Sequence, residues 1–309
     1  MILLLTACGI RGKSDKHKKL YVEVITKSTT SAYWKTTFAG ANAAGTEYNL
    51  ELTFDGPSNE EDYERQNQMI RDAVDRGVDA IVFSAIDYNA NASAVNEAVE
   101  RGIKVVVIDS DVNSNQVSCR ISTDNYKAGQ MAGEAVLSGT EQTLQVGIVN
   151  FDKNSENGQQ REKGFRDYVA NHERVNIVSS VNVSSTIEEA KLATIQMFKE
   201  NPQINIVVTL NEWISLGVGY AVQELDLKDT TRVVAFDSNV VSIGMLETGE
   251  VDVLIVQNPY AMGYLGVEYA AMLLNGEKVK ETHVDTTTTL ITRENMYKSE
   301  NQKVLFPFD

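Results

Sequence analysis

Two short runs of this chain leave few folds open. Ala80-Ile-Val-Phe83 and Val105-Val-Val-Ile108 are continuously apolar. A strand with one face in water alternates apolar and polar side chains, so unbroken runs of this length mark strands buried on both faces of a parallel sheet. Parallel neighbours need crossovers, and segments of helical spacing supply them. Strand-like stretches at 20–26, 50–54, 80–84 and 103–108 alternate with helical ones at 33–48, 60–76 and 91–101. In the 60–76 segment Ile70, Ala73 and Val74 share one face.

A second series of the same rhythm follows Asp124. Strands are expected at 144–150, 175–183, 204–210, 233–237 and 251–257, with helices at 158–171, 187–200, 215–225 and 240–248, and a further helix at 260–274. The last thirty-odd residues, with the polar run Thr286-Thr-Thr-Thr289, read as crossing segments and a short tail. The fold class expected is α/β, with two doubly wound parallel-sheet lobes and a ligand cleft between them. The N-terminal lobe takes 19–124 with 257–286, and the C-terminal lobe takes 125–256 with 287–309. Three crossings join them, near Thr123 to Tyr126, at Gln257 and near Thr286. A length of 309 residues suits two domains.

Charge narrows the partners. Twenty-eight basic against forty-three acidic residues give a net charge of −15, which repels a phosphate backbone, so no nucleic-acid partner is expected. Residues 1–18 are expected to be a partial signal peptide, lipobox and tether. Leu5-Thr6-Ala7-Cys8 resembles the bacterial lipobox, the apolar run before it reads as the back half of a secretory signal, and the residues after it are polar and basic. Cys8 is therefore the expected lipidation site, placing the protein outside the cytoplasm and anchored to a membrane. That leaves Cys119, a small core residue that can form no disulfide within the chain.

In open parallel sheets, ligands sit beyond the carboxyl ends of the strands. The residues found there are Ser31, Tyr33 and Trp34 after the first strand, then Asp87, then Asp109 with Ser110. In the second series they are Arg161, Asn211, Asp237 and Gln257, with Trp213 two residues past Asn211. Each taken singly is more often a cap or turn residue. Arg161 is the odd one, because the start of a helix favours anions. As a set they suit a neutral polyhydroxylated ligand. Carboxylates accept hydroxyl hydrogens, the amides donate and accept, the guanidinium donates several bonds, and the aromatics offer flat faces to a sugar ring.

The segments Ser31-Ala-Tyr-Trp34, Val105-Val-Val-Ile-Asp109, Thr123-Asp-Asn125, Gln160-Arg-Glu-Lys-Gly-Phe165, Val208-Thr-Leu-Asn211, Val233-Val-Ala-Phe-Asp237 and Val256-Gln257 occur in this order. Together they resemble the type I periplasmic sugar-binding proteins, the ribose- and galactose-binding group, over roughly 19–289. The resemblance implies a solute-binding lipoprotein that closes on a sugar and delivers it to an ABC permease. It implies ligand contacts from Ser31, Tyr33, Trp34, Asp109, Arg161, Asn211, Asp237 and Gln257, with Asp87, Ser110 and Trp213 as further candidates. It implies a monomer with no cofactor, metal or catalytic residue. Two departures leave the sugar open. Ser110 stands where ribose-binding relatives carry arginine, and Ser184-Ser-Thr186 replaces a second-lobe aromatic, for which Trp213 is a possible substitute.

Rival readings find less support. Gly217-Val-Gly219 follows a strand but falls inside an expected helix, and Val222 takes the third glycine's place, so it forms no dinucleotide-binding turn. No Walker loop or nucleophile elbow is present, and the three histidines lack ligand spacing. Residues 109–115 alternate as in a calcium loop but lack its glycine and glutamate. A transcription regulator would need a helix-turn-helix ahead of Lys19, where a lipobox and tether are read instead. Presentation of the ligand to a membrane chemoreceptor or histidine kinase, and a non-sugar polar metabolite as ligand, stay open as alternatives.

Overall fold

A computed structural model describes residues 19–307 except residue 141. Cys8 and the expected tether lie outside the described residues. The chain runs β1 (Tyr21–Ile25), α1 (Ala32–Glu47), β2 (Glu51–Asp55), α2 (Tyr63–Arg76), β3 (Ala80–Phe83), α3 (Ala92–Glu100), β4 (Lys104–Ile108) and β5 (Cys119–Thr123). It continues through α4 (Asn125–Leu137), β6 (Leu144–Asn150), α5 (Glu156–Val169), β7 (Val175–Asn182), α6 (Ile187–Glu200), β8 (Ile206–Thr209), α7 (Glu212–Glu224), β9 (Arg232–Phe236), α8 (Val240–Thr248) and β10 (Val253–Val256). It ends with α9 (Pro259–Leu274), β11 (His283–Thr286), β12 (Thr289–Thr292) and α10 (Ser299–Leu305).

Two six-stranded sheets result, ordered β11-β5-β4-β3-β1-β2 and β12-β10-β9-β8-β6-β7. Pairing is parallel throughout except between β10 and β12. The chain passes from the first sheet to the second after β5 and returns after β10, where Val267, Ala270 and Ala271 of α9 enter the core beside β1, β3 and β4. It crosses a third time between β11 and β12. The all-apolar runs behave as their composition demands: every residue of β3 is buried, as is all of β4 beyond Lys104.

Four elements escaped the sequence reading. Helix α4 buries Ala128, Ala132, Ala135 and Val136, residues too small to make a strong apolar stripe. Strands β11 and β12 are four residues long, stand at sheet edges and carry no apolar run. Helix α10 lies in what was read as tail. Helices α5 and α7 also begin earlier than expected, at Glu156 and Glu212. Gly217 and Gly219 lie inside α7, where an added Cβ on Gly217 would stand 2.5 Å from Ile187's carbonyl oxygen in α6. That glycine serves helix packing, not a phosphate turn.

One close approach positions the site. A Cβ on Gly129 would lie 2.0 Å from Arg161's carbonyl oxygen, and one on Gly164 would lie 2.0 Å from Tyr126's. Helices α4 and α5 therefore touch backbone to backbone. This contact sets Asn125, in the first turn of α4, against the Arg161 side chain.

Candidate functional site

Between the sheets lies a small cavity of about 30 Å³. Its walls come from residues that follow strands in both sheets. Ser31, Tyr33, Trp34 and Asp109 approach from the first, and Arg161, Asn211, Trp213, Asp237 and Gln257 from the second and its crossing. Asp87 and Ser110 are not among the lining residues. The Asp87 carboxylate instead accepts from the backbone N–H groups of Asn89 and Ala90, closing a turn. Ser110 is fully buried, and its Oγ has no hydrogen-bond partner among the described residues.

Capping and site lining coincide at two positions. Ser31 caps α1 by accepting from Trp34 N at 3.2 Å. Asn211 caps α7 through Oδ1 at 3.0 Å from Ile214 N, which leaves its Nδ2 to donate to Ser185 Oγ at 2.8 Å. Asp109 and Asp237 occupy matching places, each just after a central strand, with φ of 58° and 67°. A left-handed backbone at a residue other than glycine costs about 1–3 kcal/mol and clusters at binding sites. Here it marks both carboxylates that face the cavity from strand ends.

Their surroundings differ. Asp109 accepts from Tyr33 Oη and Ser84 Oγ, both at 2.9 Å. Asp237 accepts from Gln257 Nε2 at 2.7 Å. Burial pushes the Asp237 carboxyl up to about 7, against the pull of the Arg161 guanidinium. Burial first, then the Asp109 charge, hold the Tyr33 phenol well above its usual range.

Arg161 lies in the second turn of α5 and is 1% exposed. Its Nε donates to Asn125 Oδ1 at 2.9 Å, Nη1 to Leu210 O at 2.7 Å and Nη2 to Gln257 Oε1 at 2.7 Å. The guanidinium carbon lies 4.9 Å from the Phe236 ring centre, a cation–π distance. Three of its five donors are thus used on neutral oxygens.

Sequence reasoning missed Lys27, Glu60, Phe151, Asn157 and Glu212, which also line the space. None follows a strand as the sole polar residue, and Glu60 precedes a helix in a stretch rich in acids. Several of them join the two halves. Lys27 Nζ donates to Ser155 Oγ at 2.5 Å and to Asn157 Oδ1 at 3.3 Å. Ser185 Oγ donates to Glu60 Oε2 at 2.9 Å, while Trp34 Nε1 holds Oε1 at 2.8 Å. Burial raises the Glu60 carboxyl, and Lys27 opposes the rise. The Glu212 carboxylate accepts from Ala32 N at 3.3 Å and Tyr33 N at 3.1 Å, so it sits on the positive end of α1. No metal-holding group of His, Cys, Asp and Glu occurs among the described residues.

A larger groove shares Tyr33, Asp237 and Gln257 with this cavity but is walled mainly by apolar residues such as Val256, Pro259 and Phe306. The polar set gathers in the smaller space.

Residues 22–278 match the periplasmic binding protein domain family. The chain is 26% identical to a D-ribose/D-allose-binding protein of Pseudomonas aeruginosa over 94% of this chain and 96% of that one. A ribose import binding protein of Bacillus subtilis is 22% identical over 91% and 92%. Among solved structures, a carbohydrate transporter solute-binding protein of Agrobacterium radiobacter in complex with D-arabinose superposes with a TM-score of 0.91 at 28% identity, covering 94% of this chain and 99% of that one. A sugar transporter of Clostridium phytofermentans gives 0.81 at 30%, covering 89% and 99%.

Proposed function

Because the chain belongs to the periplasmic binding protein domain family, we propose that it is an extracytoplasmic solute-binding protein that captures a sugar between two lobes and hands it to an ABC permease. The observation that carries this reading is the cavity itself. Hydrogen-bonding groups from both sheets, with Tyr33, Trp34 and Trp213, converge on one small space between the sheets.

In this reading the lobes are 19–124 with 257–286 and 125–256 with 287–309, and the three crossings are the hinge. The hydrogen bonds from Lys27 to Ser155, Ser185 to Glu60, and the α1 backbone to Glu212 form only when the faces meet. Ligand adds contacts to the closed state alone and so shifts the population toward it. The closed pair of lobes is what a membrane partner recognises. The protein works as a monomer without catalysis, and lipid on Cys8 tethers it to the membrane face. Ser31, Tyr33, Trp34, Asp109, Arg161, Asn211, Asp237 and Gln257 hold the ligand, with Trp213 as the second-lobe ring.

Calorimetry across pentoses, hexoses and polyols tests the reading. Saturable binding of at least one sugar, with a change in tryptophan emission, is the expected result. Indifference to the whole panel would reject the sugar class and leave the fold untouched.

A further inference from the structure

Resting on that reading, we infer that the preferred ligand is a sugar-like ring bearing a protonated amine, held at the Asp237 end of the cavity. The charge inventory carries this. Four carboxylates, Glu60, Asp109, Glu212 and Asp237, line the space against two cations, Lys27 and Arg161. The ion pairs found among the described residues involve none of the six. Both cations direct their bonds to neutral oxygens: Lys27 to Ser155 and Asn157, Arg161 to Asn125, Leu210 and Gln257. The carboxylates are therefore not neutralised pair by pair.

The excess is concentrated. Glu60 has Lys27 acting on it and donors from Trp34 and Ser185. At the other end, Asp109 and Glu212 add repulsion at Asp237, while the Arg161 charge and the Gln257 hydrogen bond oppose it. Asp237 is only 6% exposed, and its one hydrogen bond among the described residues falls on Oδ1. The second oxygen takes no hydrogen bond among the described residues, and the residue lines the cavity.

Closing the lobes over a neutral sugar strips water from this end and leaves three carboxylates held by neutral donors with Arg161 as their nearest cation, unless a carboxyl takes up a proton. An ammonium removes that cost. It places a charge-assisted bond on Asp237 Oδ2 and meets the faces of Tyr33 and Trp213, which line the same space.

Matched probes test this by calorimetry at pH 7: D-glucose with D-glucosamine, D-galactose with D-galactosamine, and D-arabinose with 1,4-dideoxy-1,4-imino-D-arabinitol. The N-acetylated hexosamines serve as uncharged controls. In the best-bound pair the amine should bind at least about tenfold tighter than its neutral partner, a difference of about 1.4 kcal/mol. N-acetylation should abolish that advantage. Asp237→Asn should shrink it at least about fivefold, and Glu212→Gln gives a second reading should Asp237→Asn fold poorly. Equal or tighter binding by the neutral member of every pair overturns the inference and leaves the sugar reading standing. An amine advantage that survives both substitutions also overturns it. Silence from every probe, charged and neutral, overturns both.

Discussion

The Gln257 amide stands between Arg161 and Asp237. Its Oε1 accepts from Arg161 Nη2 at 2.7 Å, and its Nε2 donates to Asp237 Oδ1 at 2.7 Å. The Thr123 hydroxyl, at 2.8 Å, fixes the same Oε1 from another side. A neutral amide thus couples two buried charges that form no direct ion pair, and does so where the chain crosses from the second sheet toward the first.

Replacing that amide with an apolar group of similar size strands both charges. Gln257→Leu should lower unfolding stability by about 2–4 kcal/mol, because buried charged groups lose hydrogen bonds that nothing replaces. Chemical denaturation of the wild type and variant measures it. A loss below about 0.5 kcal/mol would show that the amide does not couple the pair.

Arg161 makes three bonds in three directions, which one ammonium cannot reproduce. Arg161→Lys keeps the charge but should weaken sugar binding at least about tenfold, or about 1.4 kcal/mol. Titration calorimetry with the best sugar from the panel reads this directly. Unchanged affinity would remove Arg161 from the ligand-holding set.

Asp237 gives a pH signature. Its folded carboxyl is raised from 3.8 to about 7 by burial, with Glu212 and Asp109 adding repulsion and Arg161 and Gln257 opposing. The folded state then binds the proton more tightly than the unfolded state. Its contribution to stability is fully present below the unfolded value and is lost as pH rises through about 7. The stability of the wild type minus that of Asp237→Asn should accordingly fall between pH 4 and pH 8, by up to about 4 kcal/mol. A flat or rising difference in thermal melts across that range would contradict it.

Gly164 has no room for a methyl group, since a Cβ there would stand 2.0 Å from Tyr126's carbonyl oxygen. Gly164→Ala should force α4 and α5 apart, at about 1–3 kcal/mol, and move Asn125 away from Arg161. Stability and sugar affinity should drop together, as thermal melts and calorimetry on one preparation would show. Loss of stability with affinity intact would mean that the helix contact does not set the arginine.

Much of this was legible in the chain. The apolar runs of β3 and β4 identify buried parallel strands, because two covered faces exclude polar side chains from every position. Strand ends then name Asp109, Asn211, Asp237 and Gln257, all of which the structure brings into one space. Asp87 has the same sequence context, yet its carboxylate closes its own turn. Local pattern does not separate a turn carboxylate from one that faces a cavity, since both follow a strand and both accept hydrogen bonds.

What the sequence by itself determined is therefore the repeated alternation, the two lobes' worth of strands and the strand-end polar residues, all consequences of local periodicity. Only the tertiary structure decided which of those residues meet, and it recruited Lys27, Glu60, Asn157 and Glu212, each of which has a partner more than a hundred positions away. It also gave Arg161 its place. An arginine early in a helix is electrostatically awkward in isolation. Backbone contact at Gly129 and Gly164 seats it among the oxygens of Asn125, Leu210 and Gln257. The physical reason is reach: periodicity records which face a residue lies on, while charge compensation depends on atoms that only folding brings within bonding distance.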